Sequence, residues 1–132
     1  MALNDKFRAR FKKRIEKSKD KTELFVKKLA VEIDARLVAK SPVDTGRFKA
    51  NWVVGNGYVN SETFERVVAP SNATAINAIN VNGQTIYMTN SLPYAKRLEM
   101  GYSGQAPAGM VGITLVEVNS IANKIGVQLR NV

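Results

Sequence analysis

The chain contains no cysteine and no histidine. Disulfide scaffolds, zinc sites built on Cys or His, thiol catalysis, Ser-His-Asp chemistry and imidazole pH switches are therefore excluded from the start. No apolar run approaches the ~20 residues that a membrane helix needs. The basic N-terminus has no apolar stretch behind it, so a secretory signal is not expected. The lack of cysteine fits a reducing cytoplasm. Asn72-Ala73-Thr74 matches the glycosylation sequon, but without an export signal it reads as chance. There is no Gly-x-x-x-x-Gly-Lys-Ser/Thr loop and no Gly-x-Gly-x-x-Gly after a strand, so nucleotide binding has no support.

What the chain does have is one domain's worth of polypeptide, 132 residues, with 45% apolar and 23% charged residues, the balance of a globular protein. Its charge is lopsided. Of the net +9, residues 1–40 carry +7, from 13 Lys and Arg against 6 Asp and Glu. Residues 41–50 and 51–132 add +1 each. Lys6, Arg8, Arg10, Lys12, Lys13, Arg14 and Lys17 crowd the first two dozen positions. Such a segment can meet DNA phosphates or an acidic partner, or simply stay solvated. Few aromatics are placed for base stacking, since Phe7 and Phe11 fall on an apolar stripe. One domain is expected: a basic helical segment over 1–24, a mixed body over 25–126 and a tail over 127–132.

Periodicity predicts a helix from residue 3 to about 40. Leu3, Phe7, Phe11 and Ile15, then Phe25 or Val26, Leu29, Ile33 and Leu37, share one face. The polar run 17–21 allows either a break, with Asp20 or Thr22 capping a second helix, or only a wet stretch. Ser41-Pro42 ends the pattern. Asp44 is expected to cap a helical turn over 47–49. A strand follows with Ala50, Trp52 and Val54 on one face, reversing through Gly55-Asn56-Gly57 into Tyr58-Val59. A further strand is expected over 63–69, and 73–78 is ambiguous. Asn82-Gly83 predicts a type I′ hairpin pairing Val81 with Gln84 and Ile79 with Ile86. A short helix is expected over 93–99, and a last one from Pro107 to a stop at Gly126. Its stripe is Val111, Leu115, Val118, Ala122 and Ile125, suited to lying on the sheet.

Candidate chemistry is thin. Glu62 and Glu65 can in principle act as acid and base or bind a hard cation, but two solvated glutamates are the commoner case. Ser41 beside Lys40 lacks any sign of an oxyanion hole. The segments 41–47, 92–101 and 105–110 combine fixed turn chemistry with aromatic and charged residues. They either punctuate the fold or form subunit contacts, and Tyr94, Arg97, Tyr102 and Met110 are types that interface cores favour.

Those segments carry a resemblance. Ser-Pro-Val-Asp-Thr-Gly-Arg-Phe-x-x-x-Trp (41–52), Ile-Tyr-Met-Thr-Asn-x-Leu-Pro-Tyr-Ala-x-x-Leu-Glu-x-Gly (86–101) and Gln-Ala-Pro-Ala-Gly-Met-Val (105–111) occur in that order. Together they resemble the neck or tail-completion proteins of long-tailed, lambda-like bacteriophages, from about residue 25 to about 120. The resemblance implies an α+β fold, with a small antiparallel sheet packed against long N-terminal and C-terminal helices. It implies a structural virion protein rather than an enzyme, with no catalytic, metal or cofactor residues. Such a protein, made in the host cytoplasm, joins a ring, commonly of six, around the DNA channel at the head–tail junction. Its expected partners are its own copies, the adjacent connector, tail terminator or tail tube proteins, and packaged DNA without sequence preference. No membrane is involved. Subunit contacts are expected from Asp44, Arg47, Tyr94, Arg97, Glu99, Tyr102 and Met110, and contacts with DNA or an acidic partner from Lys6 to Lys17. The alternative is a small basic nucleic-acid-binding protein acting through its cationic helix.

Overall fold

The computed structural model describes residues 2–130. Its first element, α1 (Ala2–Lys40), is one unbroken helix about 58 Å long at ~1.5 Å per residue. The run 17–21 is a wet stretch and not a break. No Gly or Pro lies between residues 2 and 40, and Lys and Glu are good helix formers. The Thr22 hydroxyl donates back to the Ser18 carbonyl at 2.9 Å instead of capping a new helix. The helix ends where Pro42 forces extended backbone on its neighbour. There the Ser41 hydroxyl donates to the Leu37 carbonyl (2.7 Å) and accepts the Trp52 indole N–H (2.8 Å).

After a 3₁₀ turn at Lys49–Asn51 come β1 (Val53–Asn56), α2 (Asn72–Asn77), β2 (Ile86–Thr89), α3 (Ala95–Glu99) and α4 (Val111–Arg130). The fold is α+β. The strands β1 and β2 pair antiparallel, from Val53 opposite Thr89 to Asn56 opposite Ile86. The long helix α1 packs against α4.

Two clusters form the core. Leu37, Phe48, Trp52, Leu92, Ala106 and Met110 make the larger, with Ile33, Val38, Met88, Ala95 and Leu98 packed around it. The edge of Phe48 meets Trp52 at 6.0 Å. The smaller cluster joins Ile121, Ile125 and Leu129 of α4 to Phe25 and Leu29 of α1. Each fully buried aliphatic side chain stabilises the fold by about 1.5–3 kcal/mol.

Several expectations from periodicity are corrected. Asn82 (φ 48°) and Gly83 (φ 73°) do form the tight turn, and Gln84 N–H donates to the Val81 carbonyl at 2.8 Å. No hairpin grows from it, because the preceding arm is engaged elsewhere. Val81 is buried, its N–H donates to the Glu23 carboxylate on α1 (2.7 Å), and the Asn80 carbonyl accepts the Asn56 amide. The strand β2 therefore pairs with β1.

Residues 58–59 and 63–69 form no strand. Instead the Asn51 side chain, fully buried, acts as a one-residue strand edge. Its amide donates to the Phe64 carbonyl (3.0 Å) and accepts the Phe64 N–H (2.7 Å). The alternation expected over 50–54 fails for the same reason: Ala50, Asn51, Trp52 and Val53 are all buried. The helical turn after the Pro42 bend, Lys49–Asn51, has no side-chain cap: the Thr45 hydroxyl accepts the Arg47 N–H at 3.2 Å in the turn before it, and Asp44 stays exposed.

The helix α4 begins at Val111, later than Pro107, and runs through Gly126 to Arg130. Residues 127–130 are therefore helical and not an extended tail, and the last two residues lie outside the described ones. The buried face of α4 is Thr114, Ile121, Ile125 and Leu129, while Val111 and Leu115 are exposed. Apolar residues occur all round this helix, so period alone does not choose the inner face. Glu117, paired with Arg36 and Lys40 of α1, helps to choose it. Those two cations, the Lys40 hydrogen bond foremost, hold the Glu117 carboxyl below its ordinary pKa.

Candidate interaction surfaces

At the C-terminal end of α1 the three distinctive sequence blocks converge. The Gln105 side chain clamps the loop 102–106 to the turn 42–46: its amide donates to the Val43 carbonyl (2.9 Å) and accepts the Val43 N–H (2.8 Å). Glu99, at the end of α3, accepts the N–H groups of Met110, Val111 and Gly112 at 2.8–2.9 Å. It is thus the N-terminal cap of α4, supplied from a distant turn because Ala108, Gly109 and Met110 offer no capping side chain. Burial alone raises a carboxyl's pKa, but the three backbone donors outweigh it here and hold Glu99 below the ordinary value.

These clamps frame a cleft of about 470 Å³ bordered by Pro42, Asp44, Phe48, Tyr94, Tyr102 and Gln105. The Tyr94 ring leans on Phe48 at 6.0 Å. The Arg97 guanidinium lies 5.1 Å from the centre of the Tyr102 ring, which is 68% exposed. Of the residues expected at subunit contacts, Tyr94, Arg97, Tyr102 and Asp44 reach the surface around this cleft. Arg47 is half-buried and paired with Glu65 at 2.6 Å. Glu99 is engaged as a cap, and Met110 is in the core, 1% exposed. Neither Gln105 nor Glu99 stood out from the sequence as a clamp. The one available signal is a helix start without a local cap.

The second surface is the other end of α1. Every residue from 5 to 20 is exposed. Lys6, Arg8, Arg10, Lys12, Lys13, Arg14 and Lys17 therefore all reach solvent, and among the described residues none is in an ion pair. So do Phe7 (66%), Phe11 (57%) and Ile15, with the two rings stacked at 6.2 Å.

The remaining candidates dissolve on geometry. Lys40 is held by Glu117 and the Ser41 hydroxyl by Leu37, so they form no nucleophile–base pair. Glu65 is paired with Arg47. Among the described residues no group of three or more carboxylates comes together, and no helix is long and apolar enough to cross a membrane.

No curated protein and no solved structure matches the chain. A family model does, over residues 5–101, and its description reads "Bacteriophage HK97-gp10, putative tail-component". The match takes in α1 with its basic half, the sheet, α3 and two of the three converging blocks. The chain belongs to the HK97-gp10-like family of bacteriophage tail components.

Proposed function

We propose that this protein is a non-enzymatic subunit of a ring, six-fold as commonly expected of such proteins, at the head–tail junction of a tailed phage. There it finishes or attaches the tail around the DNA channel, against connector, terminator or tail tube proteins. A closed ring of identical subunits uses heterologous contacts, so each subunit must carry two different complementary surfaces. The observation that supports the reading is that this chain exposes two chemically different surfaces at opposite ends of one helix. The clamped aromatic cleft around Tyr94, Arg97 and Tyr102 would serve one side of a contact between copies, and the bare arm 5–21 is left for a different protein. Electron microscopy of particles from a phage lacking the gene tests it. Filled heads beside separate tails, rejoined by added purified protein, are the expected result, and intact infectious virions would overturn it.

The alternative, a small basic nucleic-acid-binding protein, draws on the exposed cations alone. It predicts that the monomer binds duplex DNA with affinity falling steeply as salt rises.

A further inference from the structure

Phe7, Phe11 and Ile15 stand eighteen residues before Phe25, Leu29 and Ile33. Eighteen residues are five turns at 3.6 per turn, so the two sets lie on one line along α1. Over residues 25–40 that line is occupied by α4. Ile121, Ile125 and Leu129 cover Phe25 and Leu29, and Glu117 answers the cations Arg36 and Lys40. The described part of α4 ends near Phe25. Beyond it Arg14, Lys17, Ser18, Lys21, Thr22 and Phe25 line an open surface of α1, and then comes the bare stripe.

The charges of this arm are not spread evenly. Residues 5–21 hold nine Lys and Arg against three Asp and Glu, a net of +6. At ~100° per residue, Arg8, Arg10, Lys12, Arg14, Lys19 and Lys21 fall within about 100° of the stripe's midline, with no carboxylate among them. The other three cations, Lys6, Lys13 and Lys17, share the back of the helix with Asp5, Glu16 and Asp20, and there the charges cancel. The whole excess thus surrounds the apolar line.

We propose that residues 5–21 of α1 are the docking track for an acidic amphipathic helix of another virion protein, which continues the path of α4. The occupant carries an apolar stripe for Phe7, Phe11 and Ile15 and carboxylates on both borders, as Glu117 already meets Arg36 and Lys40. A second copy of this chain does not fit. Its own arm repeats the +6, and exposed α4 offers Lys124 and Arg130 but no free carboxylate. Duplex DNA would satisfy the cations and leave the two phenyl rings and Ile15 in water.

The inference rests on the assembly reading only in taking the partner from the virion, and ring closure plays no part. The test places p-benzoylphenylalanine at Phe11, and separately at Glu16 on the back of the helix, in the full chain within phage particles. Irradiation followed by mass spectrometry then identifies the adducts. The expected product at Phe11 joins the chain to a segment of another virion protein with more Asp and Glu than Lys and Arg, at roughly ten times the yield seen from Glu16. Adducts between two copies, with nucleic acid or with lipid, equal yields at both positions, or no adduct would overturn it. Absence of the protein from particles would instead remove the assembly reading, and is seen before irradiation. In a paired check, the Phe7→Ala/Phe11→Ala/Ile15→Ala variant melts like the parent but assembles at least about tenfold less infectious phage. Lys6→Gln/Lys13→Gln assembles normally. The reverse pattern would also overturn the docking track.

Discussion

Leu29 and Phe11 occupy the same line of the same helix, five turns apart, yet one is packed under Ile125 and Leu129 while the other is more than half in water. The two halves of α1 differ less in helix propensity than in what lies on them. Residues 25–40 are held by a covering helix and a sheet. Residues 5–20 are exposed throughout, and a helix of that length is marginal alone in water. Their order is inherited from the packed half, which supplies the nucleus that they extend. A stripe in the sequence marks where burial can occur, and a partner decides whether it does.

That contrast can be broken most strongly in the packed region. Trp52→Ala removes the indole from the larger core cluster and its hydrogen bond to Ser41. A loss of about 3–5 kcal/mol in denaturant unfolding is expected, enough to unfold a marginal domain. A result below 1 kcal/mol would show that this cluster is not the core.

A smaller loss tests the clamp. Glu99→Gln weakens the cap on α4 and is expected to cost about 1 kcal/mol at pH 7. Because the folded carboxyl titrates below its ordinary value, its contribution is present above the unfolded pKa of ~4.3. That contribution is lost as pH falls through the lower folded value, so wild-type and variant should converge in acid.

Asp34 carries the opposite sign. Burial pushes its pKa up, only partly offset by the Asn72 amide donating at 2.9 Å. Its stabilising state is the protonated one, complete below the unfolded pKa of ~3.9 and lost as pH rises through the raised folded value. Asp34→Asn should therefore be more stable than wild-type at pH 7, with the gap closing toward pH 4 and below. Equal stability at both pH values would refute the buried-charge account.

The least effect belongs to the bare half. Phe11→Ala, or removal of residues 1–21, should leave the unfolding of the remaining protein within about 0.5 kcal/mol. Amide hydrogens of residues 5–21 should exchange much faster than those of 25–40. Protection of the arm in the isolated chain would mean that it is covered after all.

How much of this was legible depended on range. The long helix, the short helix near 95–99, the last helix and the Asn82-Gly83 turn are local patterns, and each appears in the structure. The choice of strand partner is not local. A two-residue turn proposes one neighbour for Ile86, but Glu23, fifty-eight positions before Val81, withdraws that neighbour to α1. The amides of Asn51 and Gln105 each replace a pair of backbone hydrogen bonds, across 13 and 62 positions. Neither Asn nor Gln announces such a role by type. Residue type in turn-rich blocks is what marks the residues expected at subunit contacts, and type does not fix exposure. The structure leaves Tyr94, Arg97, Tyr102 and Asp44 at the surface, ties Arg47 to Glu65 and Glu99 to the start of α4, and buries Met110.

The unbroken course of α1 through residues 17–24 sets a phase as well as a length. Because no hinge separates the arm from the cleft, the bearing of one about the helix axis determines the bearing of the other. One alanine inserted near residue 22 would swing the arm's stripe by ~100° and lengthen its reach by only ~1.5 Å. Seven would bring the stripe back to within about 20° of its first bearing, ~10 Å farther out. An assembly that fails with one added residue and recovers with seven would be reading this helix as a rotational gauge, and one that tolerates both equally would be reading only its charge.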